Sequence, residues 1–162
     1  MITVRDSQPE DVEAVARVDA SARATLRETY RPNQKALAHK QSITRELRRL
    51  VATSGGTLVG TTRYYVDGDA MRLIGLGVHR GFRRQGVARA LVAEVAERTR
   101  RLGLSVLITH TVAETGNVPV FEALGFEVQS RCPDEYSESV SGAPLTAVSM
   151  KLSVGEKPQT DA

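Results

Sequence analysis

A turn rich in glycine and arginine is the clearest candidate for chemistry in this chain. Residues 73–88 run Leu-Ile-Gly-Leu-Gly-Val-His-Arg-Gly-Phe-Arg-Arg-Gln-Gly-Val-Ala. This pattern predicts an apolar strand, then a loop, then the start of a helix. A helix N-terminus offers unpaired N–H groups and about half a positive charge. Arg80, Arg83 and Arg84 add full charges there, so the stretch predicts a phosphate site.

Two common nucleotide motifs fit this turn poorly. The dinucleotide motif G-x-G-x-x-G would span Gly75 to Arg80, but Arg80 occupies its third glycine position. The P-loop spacing is present at Gly81–Gly86, but Val87 and Ala88 stand where Lys and Ser or Thr are required. Without those residues the loop has neither a γ-phosphate contact nor a Mg²⁺ ligand. The sequence therefore disfavours both motifs.

A pyrophosphate loop that needs no metal fits better. Arg83-x-x-Gly86-x-Ala88 matches the pattern R/Q-x-x-G-x-G/A, and residues 77–88 resemble motif A of the GNAT family of coenzyme A-dependent N-acyltransferases. The stretch Phe121-Glu-Ala-Leu-Gly-Phe126 is similar to motif B of that family, usually Tyr followed by three residues and Gly-Phe. The predicted order of strands and helices also agrees with the family from Met1 to Leu152.

The resemblance implies an α/β (α+β) fold with a mixed, mostly antiparallel sheet of about seven strands, a central βαβ unit and about four helices. It implies one acyltransferase domain at 1–152, followed by a polar, disordered tail at 153–162. It also implies acetyl-CoA as co-substrate and no metal, with the pantetheine arm lying along the strand before the loop. The residues expected to contact coenzyme A are Leu76, Gly77, Val78, Arg83, Arg84, Gln85, Gly86, Val87, Ala88, Asn117 and Phe121.

Three glycine and asparagine positions, Gly75, Gly77 and Asn117, each allow two explanations. Gly75 and Gly77 would permit a bulge and a close approach of the pantetheine arm, or would serve tight packing against a helix. Asn117 would contact the pantetheine or the pyrophosphate, or would cap the helix predicted from Val118.

The catalytic groups are less well defined than the binding groups. By resemblance, a backbone N–H near Val78 would stabilise the thioester oxygen as it gains charge. The motif B tyrosine, usually the acid for the leaving thiolate, is replaced by Phe121. Tyr136, Cys132 or water would then supply that proton.

The base that deprotonates the amine also has several candidates. These are Glu114, His110, Glu28 and a base acting through water. His79, beside the loop, is expected to be solvated.

Hydrophobic periodicity and turn residues predict the elements that must hold these groups. The glycine loop lies between a meander of three antiparallel strands and the most strongly amphipathic helix, which is followed by a central strand. The first helix is expected to begin with Ser7 or Asp6 as its cap. The expected segments are strand 2–4, a helix to residue 20, a polar helix within 21–47 broken at 31–33, strands 49–53, 57–66 and 70–78, helix 86–101, strand 104–112, helix 118–124, and strands 126–131 and 145–152.

Composition limits the alternatives. The chain has 162 residues and a net charge of +3, and 18 of its 22 basic residues are Arg. The basic residues alternate with acids and lack stacking aromatics, which argues against nucleic-acid binding. A single cysteine excludes an intrachain disulfide, and the three histidines lack ligand spacing. With no long apolar run and no signal peptide, we expect a metal-free cytoplasmic protein with no membrane contact.

The resemblance to the GNAT family implies an N-acetyltransferase that transfers acetyl from acetyl-CoA to a primary amine of a small molecule or protein, by direct attack in a ternary complex. The position of Cys132 outside both motifs argues against an acyl-cysteine intermediate. The alternative is an acyl-CoA-binding sensor of the same fold with little turnover. Acceptor choice is assigned to residues 23–44 and 132–144, and acids in the second segment favour a cationic acceptor. The sequence is compatible with a homodimer as well as with a monomer.

Overall fold

The computed structural model describes residues 1–42 and 46–155. Three 3-10 turns, at Pro9–Asp11, Arg80–Phe82 and Ala113–Thr115, join some of the longer elements. Those elements are β1 (Ile2–Asp6), α1 (Val12–Leu26), β2 (Tyr30–Pro32), α2 (Gln34–Ser42), β3 (Arg48–Ser54), β4 (Thr57–Asp67), β5 (Ala70–Val78), α3 (Val87–Arg101), β6 (Val106–Val112), α4 (Asn117–Ala123), β7 (Glu127–Pro133), β8 (Ser137–Ser139) and β9 (Thr146–Ser153).

Seven strands form one mixed sheet in the order β1-β3-β4-β5-β6-β9-β7. Every neighbouring pair is antiparallel except β5 and β6, which are parallel and joined through α3. The expected sheet, its central βαβ unit and the four helices are confirmed. A parallel pair needs a crossover that spans the sheet, and the 15-residue helix α3 provides it.

Helices cover both faces of the sheet near the βαβ unit. Successive strand residues point to opposite faces, so Leu50 packs in the α3 core while Val51 packs against α1. The predicted stripe Val87, Leu91 and Val95 on α3 is buried. The N-terminal end of α3 packs closely on β4, where a Cβ added at Gly60 would lie 2.5 Å from Val87 Cγ1. These contacts fix the start of α3 relative to the sheet.

The first helix differs from its predicted bounds and cap. It extends to Leu26, six residues beyond the expected end. Neither Ser7 nor Asp6 caps it: Asp11 accepts a hydrogen bond from the Gln8 N–H and pairs with Arg5, which together lower the pKa of the Asp11 carboxyl to about 2. Asp6 instead pairs with Arg98 of α3 at 2.6 Å. The polar segment after residue 20 continues the helix, where Ala22 packs on Gly77 of β5 and Thr25 accepts a hydrogen bond from Arg83.

A two-stranded sheet formed by β2 and β8 was not predicted. It replaces the loop expected around Arg31–Asn33 and joins the end of α1 to the segment before β9. At the C-terminal end, β9 continues through Ser153, and Val154 is buried with its N–H bonded to the Ser105 carbonyl. The ordered chain therefore passes the expected boundary at residue 152, and residues 156–162 of the expected tail lie outside the described part.

Candidate active site

The strand that precedes the glycine loop separates from its parallel neighbour. β5 and β6 pair only at Met71–Leu107 and Arg72–Ile108. The Thr109 hydroxyl donates to the Leu73 carbonyl at 3.1 Å, at the point where pairing stops. Beyond it, the C-terminal half of β5 pairs with no strand of the described residues on that side. The structure thus contains an open cleft between the two parallel strands.

A bulge at Gly75 accompanies this separation. The register of β4 and β5 shifts by one between Thr61 and Arg63, so Gly75 and Leu76 both oppose Thr62. Gly75 has a φ of +63°, which favours glycine. A Cβ added at Gly77 would instead lie 3.0 Å from the Ala22 Cβ of α1. The two predicted explanations therefore apply to different glycines, a bulge at Gly75 and close helix packing at Gly77.

Hydrogen-bond alternation shows where the free backbone groups of β5 point. The His79 N–H donates to the Val59 carbonyl at 2.8 Å, which makes that pair a bonded one in the antiparallel ladder. Bonded and non-bonded pairs alternate, so Gly77 also faces β4. Leu76 and Val78 then direct their N–H and C=O groups away from β4, into the cleft. The Val78 N–H therefore points to the side of β5 that does not face β4.

The start of α3 offers a second set of free donors. Gly86 caps the helix with a φ of +82°, and a Cβ added there would meet nothing within 4 Å. Arg84 also has a left-handed φ, +61°. Within the described ranges, no protein group accepts a hydrogen bond from the N–H groups of Gly86, Val87 or Ala88. These groups face open space at the positive end of a helix, a geometry suited to phosphate.

The arginines of the loop are exposed and differ in their contacts. Arg83 Nη2 donates to the Thr25 hydroxyl of α1 at 2.9 Å. Arg84 and Gln85 are exposed beside Gly86. His79 is not merely solvated, because its Nδ1 accepts from the Gly81 N–H and closes the turn.

Two of the residues expected to contact coenzyme A, Asn117 and Phe121, lie on α4. Asn117 is the first residue of that helix, after Gly116 with a φ of +80°. Its side chain caps nothing, so the capping explanation is wrong. Phe121 is 9% exposed and packs edge-on against Phe126, with ring centroids 5.5 Å apart. The position usually held by the tyrosine therefore belongs to the core.

A cavity of about 290 Å³ lies near the C-terminal end of β6. β5 and β6 are parallel, so this end of β6 and the glycine loop occupy the same edge of the sheet. Two carboxylates, Glu28 and Glu114, lie in its wall. The other lining residues are Thr29, Ser139, Val140, Ser141, Ala143 and Leu145. The structure thus brings together two of the predicted bases, which are 86 positions apart in the sequence.

A hydrogen bond to a backbone group helps to position each of these acids. Glu114 Oε1 accepts a short hydrogen bond from the Thr146 N–H, which fixes the start of β9. The Glu28 N–H donates to the Thr25 carbonyl, one turn after the contact between Thr25 and Arg83. Glu28 and Glu114 are both exposed, so both carboxylates are available to a cation.

The remaining candidates lie elsewhere. His110 lies opposite Ser149 of β9 and is more than a third accessible, yet partial burial and the charge of Arg72 lower its pKa. Its imidazole is therefore neutral at neutral pH and can accept a proton. Tyr136 is not among the cavity residues; its ring lies 5.7 Å from that of His39. Cys132 is exposed on β7.

Sequence reasoning missed Asn33, which joins the start of α2 to the chain just before β8. Its Oδ1 accepts from the Ala36 N–H and caps α2, while its Nδ2 donates to the Glu135 carbonyl at 2.6 Å. The Asn33 N–H also bonds the Tyr136 carbonyl. An Asn directly after Pro32 indicated a helix start, but nothing local indicated its partner 102 residues away.

The part of the chain that the structure describes contains neither a candidate metal cluster nor a membrane-spanning helix. No group of three His, Cys, Asp or Glu side chains there is placed to bind a metal ion. No helix in the same residues is long and apolar enough to cross a membrane.

Comparison with protein families gives a match to the acetyltransferase (GNAT) family over residues 15–126. No curated protein matches at a significant level. The ribosomal-protein-S18-alanine N-acetyltransferase of Escherichia coli is similar in structure, with a TM-score of 0.73, 20% identity, and coverage of 100% of this chain and 99% of that one.

Two similar structures hold coenzyme A or its acetyl form. One is yncA of Salmonella typhimurium with acetyl-CoA, with a TM-score of 0.70, 21% identity, and coverage of 100% of this chain and 99% of that chain. The other is the PaiA N-acetyltransferase of Thermoplasma acidophilum with coenzyme A, with a TM-score of 0.70, 14% identity, and coverage of 94% of this chain and 99% of that chain. At these identities the likeness establishes the fold.

Proposed function

We propose, from the premise that the chain belongs to the GNAT acetyltransferase family, that it transfers an acetyl group from acetyl-CoA to a primary amine by direct attack in a ternary complex. One observation carries this proposal: the unpaired backbone of Leu76 and Val78 lies in the cleft beside β5 and leads directly to the open N-terminus of α3. That arrangement matches an extended arm that ends in a diphosphate.

The donor would bind along this line. Leu76 and Val78 would bond the amides of the pantetheine arm as a missing strand would. The N–H groups of Gly86, Val87 and Ala88 would bind pyrophosphate oxygens, with Arg83, Arg84 and Gln85 beside them. Asn117 at the start of α4 would contact the same arm, and Phe121 would support it from the core. Gly86 leaves room for this approach, because no atom lies within 4 Å of an added Cβ.

Few side chains would take part directly in the acyl transfer. Acetyl-CoA supplies the acetyl group as a thioester. The amine nitrogen forms a bond to the acetyl carbon, the carbonyl oxygen gains negative charge, and Val78 N–H stabilises that charge. The C–S bond then breaks, the positively charged nitrogen loses a proton to water, and water returns a proton to the departing thiolate, since Phe121 has no proton to give. Tyr136 and Cys132, which lie outside the cavity wall, stay secondary candidates for that acid.

The acceptor would enter through the cavity with the two carboxylates. Glu28 and Glu114 would attract an ammonium group, and one of them, directly or through water, would take its proton before attack. His110 is the alternative base. The cavity volume of about 290 Å³ is at the small end for ligand pockets. It suits the end of a cationic side chain or a small amine rather than a bulky one.

Calorimetry with coenzyme A tests the donor half of this proposal. We expect one site per chain, with affinity that falls as salt rises, because Arg83 and Arg84 act partly through charge. Absence of binding by the intact chain would overturn the proposal.

A sensor function is the second candidate, and the burial of Phe121 favours it. An acyl-CoA-binding protein with no proton donor at this position could hold its ligand without turnover. Amine-dependent release of the coenzyme A thiol would exclude the sensor, whereas binding without release would support it.

A further inference from the structure

The loop between β5 and α3, residues 79–86, forms hydrogen bonds to two hydroxyl groups of helix α1. The Arg80 N–H donates to the Ser21 Oγ at 3.1 Å, and Arg83 Nη2 donates to the Thr25 Oγ1 at 2.9 Å. Residues four apart lie on one face of a helix, so both hydroxyls face the loop. Between them Ala22 packs on Gly77, within 3.0 Å of its added Cβ. The same helix face therefore contacts the loop at two points and the end of β5 at a third.

These contacts can offset two costs of ordering the loop, which are backbone strain and side-chain entropy. Arg84 and Gly86 both have left-handed φ values, and for Arg84 this conformation is strained. The Arg83 side chain is long and exposed, so ordering it upon ligand binding costs entropy. A hydroxyl that already holds one N–H of the guanidinium reduces that cost.

The held guanidinium keeps donors for a ligand. Only Nη2 of Arg83 bonds a protein group in the described ranges, while a guanidinium carries five N–H donors in a fixed plane. Its other N–H groups are left for phosphate oxygens. The Thr25 hydroxyl can thus orient Arg83 without competing for the whole group.

We propose that Thr25 and Ser21 are positioning residues for the phosphates of the acyl donor: Thr25 orients the Arg83 guanidinium and Ser21 fixes the Arg80 end of the loop. This inference rests on the proposed function. It gives the end of α1, whose residues 23–26 belong to the segment expected from sequence to select the acceptor, a role on the donor side. Thr25 also adjoins the acceptor cavity, because its carbonyl holds the Glu28 N–H.

Substitution of the two hydroxyls tests the proposal. Thr25→Val keeps the shape and nearly the helix propensity of the side chain and removes only the hydroxyl. We expect it to weaken coenzyme A binding in calorimetry about three- to tenfold, the loss typical of one hydrogen bond. The KM for acetyl-CoA rises by the same factor and kcat at saturation is unchanged. Thr25→Ser restores the affinity, and Ser21→Ala weakens binding about two- to threefold.

Matched controls separate this role from general stability. Thr3→Val on β1 and Ser7→Ala before α1 remove hydroxyls that make no hydrogen bond within the described residues. Both controls should bind coenzyme A as the unaltered chain does.

A double-mutant cycle gives the sharpest result, because coupled residues do not act additively. If Thr25 acts through Arg83, Thr25→Val adds less than about twofold in the Arg83→Gln background. Unchanged binding by Thr25→Val, full additivity with Arg83→Gln, or a loss in kcat alone would overturn the inference. An unaltered chain that binds no coenzyme A would overturn the proposed function itself, which makes the two failures distinguishable.

Discussion

The donor and acceptor sides of the site are built in different ways. Most of the proposed donor side comes from one continuous stretch, residues 70–88, in which a strand, a bulge, a turn and a helix start follow in order. Helices α1 and α4 add supporting residues to it. The acceptor cavity is assembled from three separate places: the end of α1, the turn after β6 and the segment from Ser139 to Leu145. The geometry of the donor stretch follows mainly from its local sequence, whereas the cavity depends on contacts between distant segments.

Gly86→Glu should have the largest effect, because it damages the continuous side at its centre. The carboxylate would occupy the open space at the helix start, repel phosphate and impose a left-handed φ on a residue with a side chain, at about 1–2 kcal/mol. We expect coenzyme A affinity to fall at least about a hundredfold in calorimetry.

Gly103→Glu is the matched control for that change. Gly103 lies just after the end of the same helix, with a φ of +75° and no neighbour within 4 Å of an added Cβ. The added charge is less favourable at a helix C-terminus, so this variant should be at least as destabilised yet bind coenzyme A normally. Equal losses from the two variants would contradict a phosphate site at Gly86.

Neutralising the cavity acids should affect the acceptor side alone. Glu114→Gln keeps an oxygen for the Thr146 N–H and removes only the charge. We expect Glu114→Gln and Glu28→Gln each to lower kcat/KM for a cationic amine about tenfold, with coenzyme A affinity unchanged. Steady-state kinetics with Glu13→Gln, an exposed acid at the start of α1, provides the control. Normal kinetics in both cavity variants would disprove a cationic acceptor there.

Substitutions of Asn33 should have smaller effects, and two variants distinguish the roles of its two side-chain hydrogen bonds. Asn33→Ala loses both the α2 cap and the bond to the Glu135 carbonyl, and it should lower the free energy of unfolding by about 1 kcal/mol. Asn33→Asp keeps the capping oxygen and loses only the donor. It should therefore keep the stability while the amine KM rises about threefold. If Asn33→Asp left the amine KM unchanged, the β2–β8 sheet would have no part in holding the cavity.

Phe121→Tyr should change activity least. Because the ring is buried against Phe126, an added hydroxyl would cost about 1–3 kcal/mol in stability unless it found a partner. With water as the acid, kcat should stay within about twofold. An increase in kcat of tenfold or more would mean that the missing tyrosine limits the rate.

The strand, loop and helix start of the proposed donor side were predictable because their determinants are local. Glycine positions, apolar periodicity and a helix start identified the loop around Gly86 and the strand that ends at Val78. For Gly75 and Gly77 the sequence offered a bulge or helix packing but could not assign one to each, since the contact of Gly77 with Ala22 joins residues 55 positions apart.

The acceptor side could not be predicted in the same way. Glu28 and Glu114 were separate candidates, and only the tertiary fold brings them to one cavity. The β2–β8 pairing depends on short strands of three residues each, with weak apolar alternation. Asn33 bonds residue 135 through a backbone carbonyl, which carries no sequence preference. Contacts of this kind leave no local pattern.

Release of the coenzyme A thiol from acetyl-CoA, followed with and without a series of cationic and neutral primary amines, tests the central claim most directly. The account predicts release that requires an amine, saturates with it, is faster for cationic members, and yields the N-acetyl product by mass spectrometry. Binding of acetyl-CoA with no amine-dependent release across the series would contradict it.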